Sequence, residues 1–141
     1  MTFQYLYVDG ATGTAVYANA GACSPMIVRK KSGSVEELTL AGAALGAFKK
    51  ANFAQVDVRF EPGDAIVFYT DGIVEARNRQ GDEIGYDRLR QILFESWDTD
   101  AEKFYNNVYE AYMQHIGEEG AQDDLTMVIL VFNPGLVIPV T

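Results

Sequence analysis

The chain opens as short β-prone runs punctuated by turn residues and changes to a helical period after residue 72. Phe3 to Val8 is rich in aromatic and β-branched residues, and Asp9-Gly10-Ala11-Thr12-Gly13 closes it before Thr14 to Ala18 resumes the pattern. That predicts a hairpin. Met26 to Arg29 is a short strand ended by Lys30-Lys31-Ser32-Gly33-Ser34, and Val35 to Leu40 pairs back with it. Gly42 to Gly46 reads either as a loop or as a short helical turn. Gln55 to Phe60 alternates, with Val56, Val58 and Phe60 on one face and Asp57 and Arg59 on the other, as a half-buried strand does. Ala65 to Tyr69 is continuously apolar, as expected of a central strand covered on both faces, and it stops at Thr70-Asp71-Gly72.

Leu89, Ile92, Leu93 and Trp97 recur at helical spacing and predict an amphipathic helix from about Tyr86 to Trp97. Thr99-Asp100-Ala101-Glu102 has the form of a capping box with Thr99 as the cap. It opens a second helix with Phe104, Val108, Ala111, Tyr112 and Ile116 as its buried stripe and Gly117 as its stop. Phe104, Tyr105 and Tyr112 are expected in the core. Leu125 to Phe132 is a β-prone run, and an apolar tail, Leu136 to Thr141, follows Asn133-Pro134-Gly135.

At 141 residues and 48% hydrophobic, this is one folded domain rather than a disordered or two-domain chain. Twenty acidic against 11 basic residues give a charge of −9, a field that repels phosphate backbones, so nucleic acid is disfavoured as a partner. No apolar run approaches bilayer length and no basic-then-apolar leader is visible, so membrane insertion is not expected. Cys23 is the one cysteine, which fits a cytoplasmic location and excludes disulfides and thiolate zinc clusters. It reads as a small packed residue. His115, the one histidine, excludes histidine-rich metal sites and reads as a partly exposed side chain near a helix end. Any metal site must therefore use carboxylates.

Asp71 stands at the end of one strongly apolar strand, and Asp123 and Asp124 stand at the start of another. Antiparallel pairing of those strands brings the three carboxylates to one sheet edge. A hard divalent cation would offset their repulsion and supply a water for hydrolysis. The competing explanation is turn chemistry, because Asp-Gly is a favoured turn pair and paired aspartates cap loops. Glu75, Arg77 and Asn78 either line this edge or are solvated positions. Arg29-Lys30-Lys31 reads as a hairpin tip, with phosphate docking as a minor alternative.

Ala65 to Asn78, which contains Tyr69-Thr70-Asp71-Gly72-Ile73-Val74-Glu75-Ala76-Arg77-Asn78, closely resembles the YTDG-V-x-EARN stretch of bacterial SpoIIE-type phosphatases. These are a branch of the metal-dependent PPM (type-2C) protein serine/threonine phosphatases. Other family marks follow in order. They are Tyr17-Ala18-Asn19-Ala20-Gly21, the Gly42 to Gly46 segment with Pro62-Gly63-Asp64, Gly81-Asp82-Glu83-Ile84-Gly85, and Asp123-Asp124-Leu125-Thr126. The resemblance implies an α+β fold, an antiparallel β-sandwich flanked by helices, over residues 1–133, with 134–141 as a tail. It also implies a site for two Mn²⁺ or Mg²⁺ ions and hydrolysis of phosphoserine or phosphothreonine on a signalling regulator such as an anti-sigma-factor antagonist. On the family pattern Asp71 and Asp123 are metal ligands. Asp124 falls where Asp and Asn alternate, and Gly72 offers a backbone carbonyl near the metals.

The pattern also departs from the family. The GGD and GDVSGHG segments that precede these motifs are absent, Ala22 stands where a histidine is usual, and Ala44-Leu45-Gly46 replaces the usual PLG. The chain thus covers the C-terminal two thirds of such a domain and does not complete the binuclear site alone. The alternative is a non-catalytic phosphatase-like module that self-associates or docks a partner. Either truncated reading leaves sheet edges and an apolar face exposed, which predicts homo-oligomers.

Overall fold

The chain folds into β1 (Phe3–Val8), β2 (Thr14–Ala20), β3 (Met26–Arg29), β4 (Ser34–Glu37), β5 (Gln55–Arg59) and β6 (Ala65–Tyr69). A short 3₁₀ turn (Asp71–Ile73), α1 (Gly85–Ser96), α2 (Ala101–Ile116) and β7 (Met127–Val131) follow. Residues 1–117 and 124–134 are described in the structure, a computed structural model. The tail from Leu136 to Thr141 and Asp123 lie outside the described residues.

All strand pairs are antiparallel. β1, β2 and β5 form one sheet and β4, β3, β6 and β7 the other, in those orders. The expected β1–β2 hairpin is present, its turn held by Asp9, whose carbonyl accepts from Gly13 and whose carboxylate accepts from Ala11. Gly13 has a φ of 72°, and a side chain there would collide with the Phe60 carbonyl oxygen, so glycine is required.

β6 sits at the centre. Its Ile66 faces the three-stranded sheet and packs with Ala15, Tyr17, Ile27, Val58 and Phe60 between the two sheets. Its Ala65, Val67 and Tyr69 face the helices and pack with Leu89, Ile92 and Leu93 of α1 and Phe104, Val108, Tyr112 and Ile116 of α2. Four of its five residues are buried, as its unbroken apolar run requires. The result is an α+β fold of three layers: sheet, sheet and helix pair. Each inward side chain of α2 is worth about 2 kcal/mol. The four together rival the ~5–15 kcal/mol that holds a domain folded, so α2 is integral to it.

Several boundaries depart from the sequence pattern. β4 ends at Glu37 instead of Leu40: the Leu38 amide still donates to the carbonyl of Pro25, its register partner, but proline has no N–H to return the bond and the ladder stops there. β7 spans only Met127–Val131 of the expected Leu125 to Phe132. The capping box does not form. Asp100 is the cap of α2, its carboxylate accepting from the Glu102 and Lys103 amides, and Thr99 lies one residue outside the helix. Tyr105, expected in the core, is exposed and stacks on Tyr109, whereas Phe104 and Tyr112 are buried. Gly117 stops α2 with a φ of 62°, its amide donating to the Met113 carbonyl.

At the end of the sandwich where β6 begins, Asp64 is a buried carboxylate. It accepts from the Arg29 guanidinium at 2.9 Å, from the Lys30 amide at 3.0 Å and from the Glu61 amide at 3.0 Å. Arg29 also pairs with Glu36, so the Arg29 to Lys31 segment is engaged structurally. The neighbouring Gly63 donates to Phe132 O and accepts from the Trp97 indole, which ties this turn to the end of β7 and the end of α1.

Two outcomes follow. Asp64→Ala leaves Arg29 and two amides without their shared acceptor and should cost about 3 kcal/mol in urea denaturation, with Asp64→Asn losing less. Asp100→Ala should cost about 1 kcal/mol, while Thr99→Ala changes stability by less than half of that.

Candidate functional site

The register of β6 against β7 sets the site. Tyr69 lies opposite Met127, so the exit of one strand is beside the entrance of the other, as the antiparallel expectation requires. Past that pair the Thr70 amide donates to the Thr126 carbonyl at 3.1 Å. The Thr70 hydroxyl accepts from the Thr126 amide at 3.1 Å and donates to the Asp124 carbonyl at 3.2 Å. These bonds hold the backbone that carries Asp124 beside the residue that precedes Asp71.

Asp71 starts the 3₁₀ turn, and its carbonyl accepts from the Val74 and Glu75 amides. Asp71 and Asp124 are exposed and Gly72 is buried under the turn. The structure therefore brings Asp71 and the segment of Asp124 to one edge, with Asp123 outside the described residues. Among the described residues, no group of three or more His, Cys, Asp or Glu is close enough to hold a metal ion.

The surroundings are negative and partly apolar. Burial, followed by the charges of Asp71 and Glu75, pushes the half-buried Cys23 thiol up, which keeps it protonated. Tyr86 is likewise pushed up, by burial first and then by Cys23, Glu37, Glu75 and Asp71. The Tyr69 hydroxyl is buried with no hydrogen-bond partner among the described residues, and burial pushes its pKa well up. Beside the strand ends a cavity of about 470 Å³ opens, lined by Gln4, Leu6, Ala22, Phe68, Thr70, Thr126 and Val128 among others.

Two features had no assigned role in the sequence pattern. Buried Asn19 accepts from the Ala22 amide and donates to the Ala22 and Leu40 carbonyls, pinning the loop that carries Cys23 to the segment after β4. Gly42 packs so closely on Asn19 that a β-carbon would collide with the Asn19 carbonyl oxygen. The Asn-Ala-Gly spacing was the available signal. Thr70 is the second feature, and its part was not visible in the sequence because its hydrogen-bond partners lie 54 and 56 residues away.

Arg77 and Asn78 are engaged in a turn. The Arg77 guanidinium pairs with Glu83 at 2.8 Å, and the Asn78 side-chain oxygen accepts from the Gln80 and Asp82 amides. Glu75 is exposed and acts electrostatically on Cys23. His115 is half-buried, its Nε2 3.0 Å from the Asp82 carbonyl. No described helix is long and apolar enough to cross a membrane.

Known proteins are similar to this chain in sequence and in fold. Phosphoserine phosphatase RsbU of Bacillus subtilis is 27% identical over 114 residues, which cover 81% of this chain and 33% of that protein. The chain spans a third or less of the length of the curated relatives it matches. The RsbU and RsbW domains of Rv1364c from Mycobacterium tuberculosis superpose with a TM-score of 0.78 at 22% identity, over 94% of this chain and 36% of that one. The phosphatase domain of the cell fate determinant SpoIIE from Bacillus subtilis, presoaked with Mn, gives 0.72 at 14% identity, over 97% and 59%. At those identities the two structures establish the shared fold. The model of the family described as Stage II sporulation protein E (SpoIIE) matches residues 1–133, and the chain belongs to that family of PP2C-type phosphatase domains.

Proposed function

We propose that residues 1–133 are the C-terminal portion of a metal-dependent protein serine/threonine phosphatase domain, with 134–141 as a tail. Its substrate would be phosphoserine or phosphothreonine on a cytoplasmic signalling protein such as an anti-sigma-factor antagonist. The observation that carries this reading is the antiparallel end of β6 and β7, where Tyr69 faces Met127 and the chain delivers Asp71 beside the segment of Asp124. The name of the relative RsbU, a phosphoserine phosphatase, supports the reaction class.

The donor set fits Mn²⁺ or Mg²⁺. The edge offers the carboxylate oxygens of Asp71 and Asp124, the ligand type hard cations prefer. Asp71 and Asp123 are the ligands assigned, Asp124 is the second choice, and Gly72 contributes its carbonyl. Two such ions would supply charge to bind a phosphoryl group and to activate water. The chain's own contribution is to hold these oxygens on two strand ends fixed by β6–β7 pairing. A binuclear site needs more ligands than these, since no group of three or more candidate ligands stands together among the described residues.

A second reading is a non-catalytic module that self-associates, and the charge distribution on the edges favours it. Edge strands β4 and β5 carry Glu36, Glu37, Asp57 and Arg59, whereas edge strands β1 and β7 carry no charge. Charged edges resist pairing with another chain, and uncharged ones invite it. On β7, Val128 and Leu130 are each nearly half exposed.

Calorimetric titration with Mn²⁺, alongside hydrolysis of a phosphoserine peptide, tests the first reading. Binding is expected in the parent chain and is expected to be lost in Asp71→Asn and in Asp123→Asn. Unchanged affinity in both variants would remove the carboxylate site. Sedimentation decides the second reading: a monomer at all concentrations would exclude self-association, and dimers without Mn²⁺ binding would establish it in place of catalysis.

A further inference from the structure

We propose that the Thr70 hydroxyl is a positioning group for the carboxylate edge, standing in for its own backbone carbonyl so that Asp71 can leave the sheet while β7 stays in register. The inference rests on the metal-site reading above and names the residue that sets its geometry.

The last ladder pair is Tyr69 with Met127. One step further along an antiparallel ladder, Thr70 and Thr126 would exchange two backbone hydrogen bonds. Half of that exchange is present, because the Thr70 amide donates to the Thr126 carbonyl at 3.1 Å. The other half is replaced. The Thr70 carbonyl is turned away and accepts from the Ile73 amide at 3.2 Å, which begins the 3₁₀ turn over Asp71–Ile73. The Thr126 amide, which that carbonyl would have satisfied, donates instead to the Thr70 hydroxyl at 3.1 Å. The same hydroxyl donates to the Asp124 carbonyl at 3.2 Å, so it grips the chain on both sides of Leu125.

One oxygen therefore does two things. It lets the backbone bend at Asp71, and it keeps β7 aligned from Thr126 back to Asp124. Without it, the ladder and the turn compete for a single carbonyl. If the carbonyl returns to Thr126, the turn that orients Asp71 is lost. If it stays with Ile73, Asp124 and Thr126 lose their anchor and the strand end frays. Either result changes the separation of Asp71 from Asp124. Threonine suits the position because its β-branched methyl group favours extended backbone and its hydroxyl both donates and accepts. Serine keeps the hydroxyl, and valine keeps the shape without it.

The test is a Mn²⁺ titration of the ¹⁵N-labelled chain, read as paramagnetic broadening of the amides of residues 71–72 and 124–125, for the parent, Thr70→Val and Thr70→Ser. Hydrogen exchange at the Thr126 amide is read in parallel. Groups that hold metal ligands in place typically matter by about tenfold in affinity. Thr70→Val should therefore need about tenfold more Mn²⁺ for half-broadening and exchange Thr126 faster, while resonances of α1 and α2 stay in place. Thr70→Ser should return both values to within about twofold of the parent.

Equal Mn²⁺ dependence in the parent and Thr70→Val would overturn the proposal even if the variant is less stable. Thr70→Ser behaving like Thr70→Val would overturn it as well, because the hydroxyl is then not the active group. Thr70→Ala removes the hydroxyl without adding bulk and is read in the same way if the valine variant does not fold. A parent chain whose amides at 71–72 and 124–125 do not broaden would overturn the metal reading itself, and the positioning role with it.

Discussion

The antiparallel pairing of β6 with β7 is the constraint on which the rest of this molecule depends. It joins residues about 60 positions apart in the sequence, and its last pair, Tyr69 with Met127, decides which side chains meet at the edge of the sheet. Because side chains alternate along a strand, a slip of one residue would turn Met127 and Ile129 from the helices toward the other sheet and carry Asp124 away from Asp71. The apolar packing on both faces of β6 resists that slip. Ile66 is held between the sheets, and Ala65, Val67 and Tyr69 are held under the helices. The core therefore enforces the register, and the register delivers the carboxylates.

The two ends of the β6 strand are built on different physical terms. At its start, a buried carboxylate, Asp64, gathers the Arg29 guanidinium and two amides, and the adjacent Gly63 and Asp64 backbones bond to Phe132. Charge there is neutralised by protein. At its finish, Asp71 and Asp124 are exposed, the strand ends are tied by neutral hydrogen bonds through Thr70, and the field around Cys23 and Tyr86 is negative. The first end anchors the sandwich. The second leaves the carboxylates of Asp71 and Asp124 exposed, as the proposed metal reading requires.

Much of the fold could be read from the sequence where local chemistry decides it. The β1–β2 hairpin follows from Asp9 and Gly13, the burial of β6 from its uninterrupted apolar run, and the faces of α1 and α2 from a repeat of three and four. Boundaries were harder to read. Thr99 and Asp100 are both good caps, and which one serves depends on where the chain leaves the turn after α1. Leu38 to Leu40 are β-prone, yet Leu38 pairs with Pro25, which has no N–H to continue the ladder, and only the register of β3 against β4 shows that these two residues meet. Tyr105 and Tyr112 differ little as residues, and only helix rotation against the sheet separates exposed from buried.

The same division applies to the site. The sequence alone determined that carboxylates are the available metal-binding chemistry, because it holds one cysteine and one histidine. It also determined that acidic residues stand at the ends of the two most apolar strands, and that the motifs around them are those of one phosphatase family. Tertiary structure decided which of these groups approach one another. Arg77 and Asn78 were engaged by a local turn, Cys23 was brought under the field of Asp71, and Thr70 was joined to Asp124 and Thr126. The physical reason is one of range. Residue identity and short-range periodicity set what a group can do, whereas pairing across more than 50 residues is settled by the burial of a whole strand between two layers, which no local pattern records.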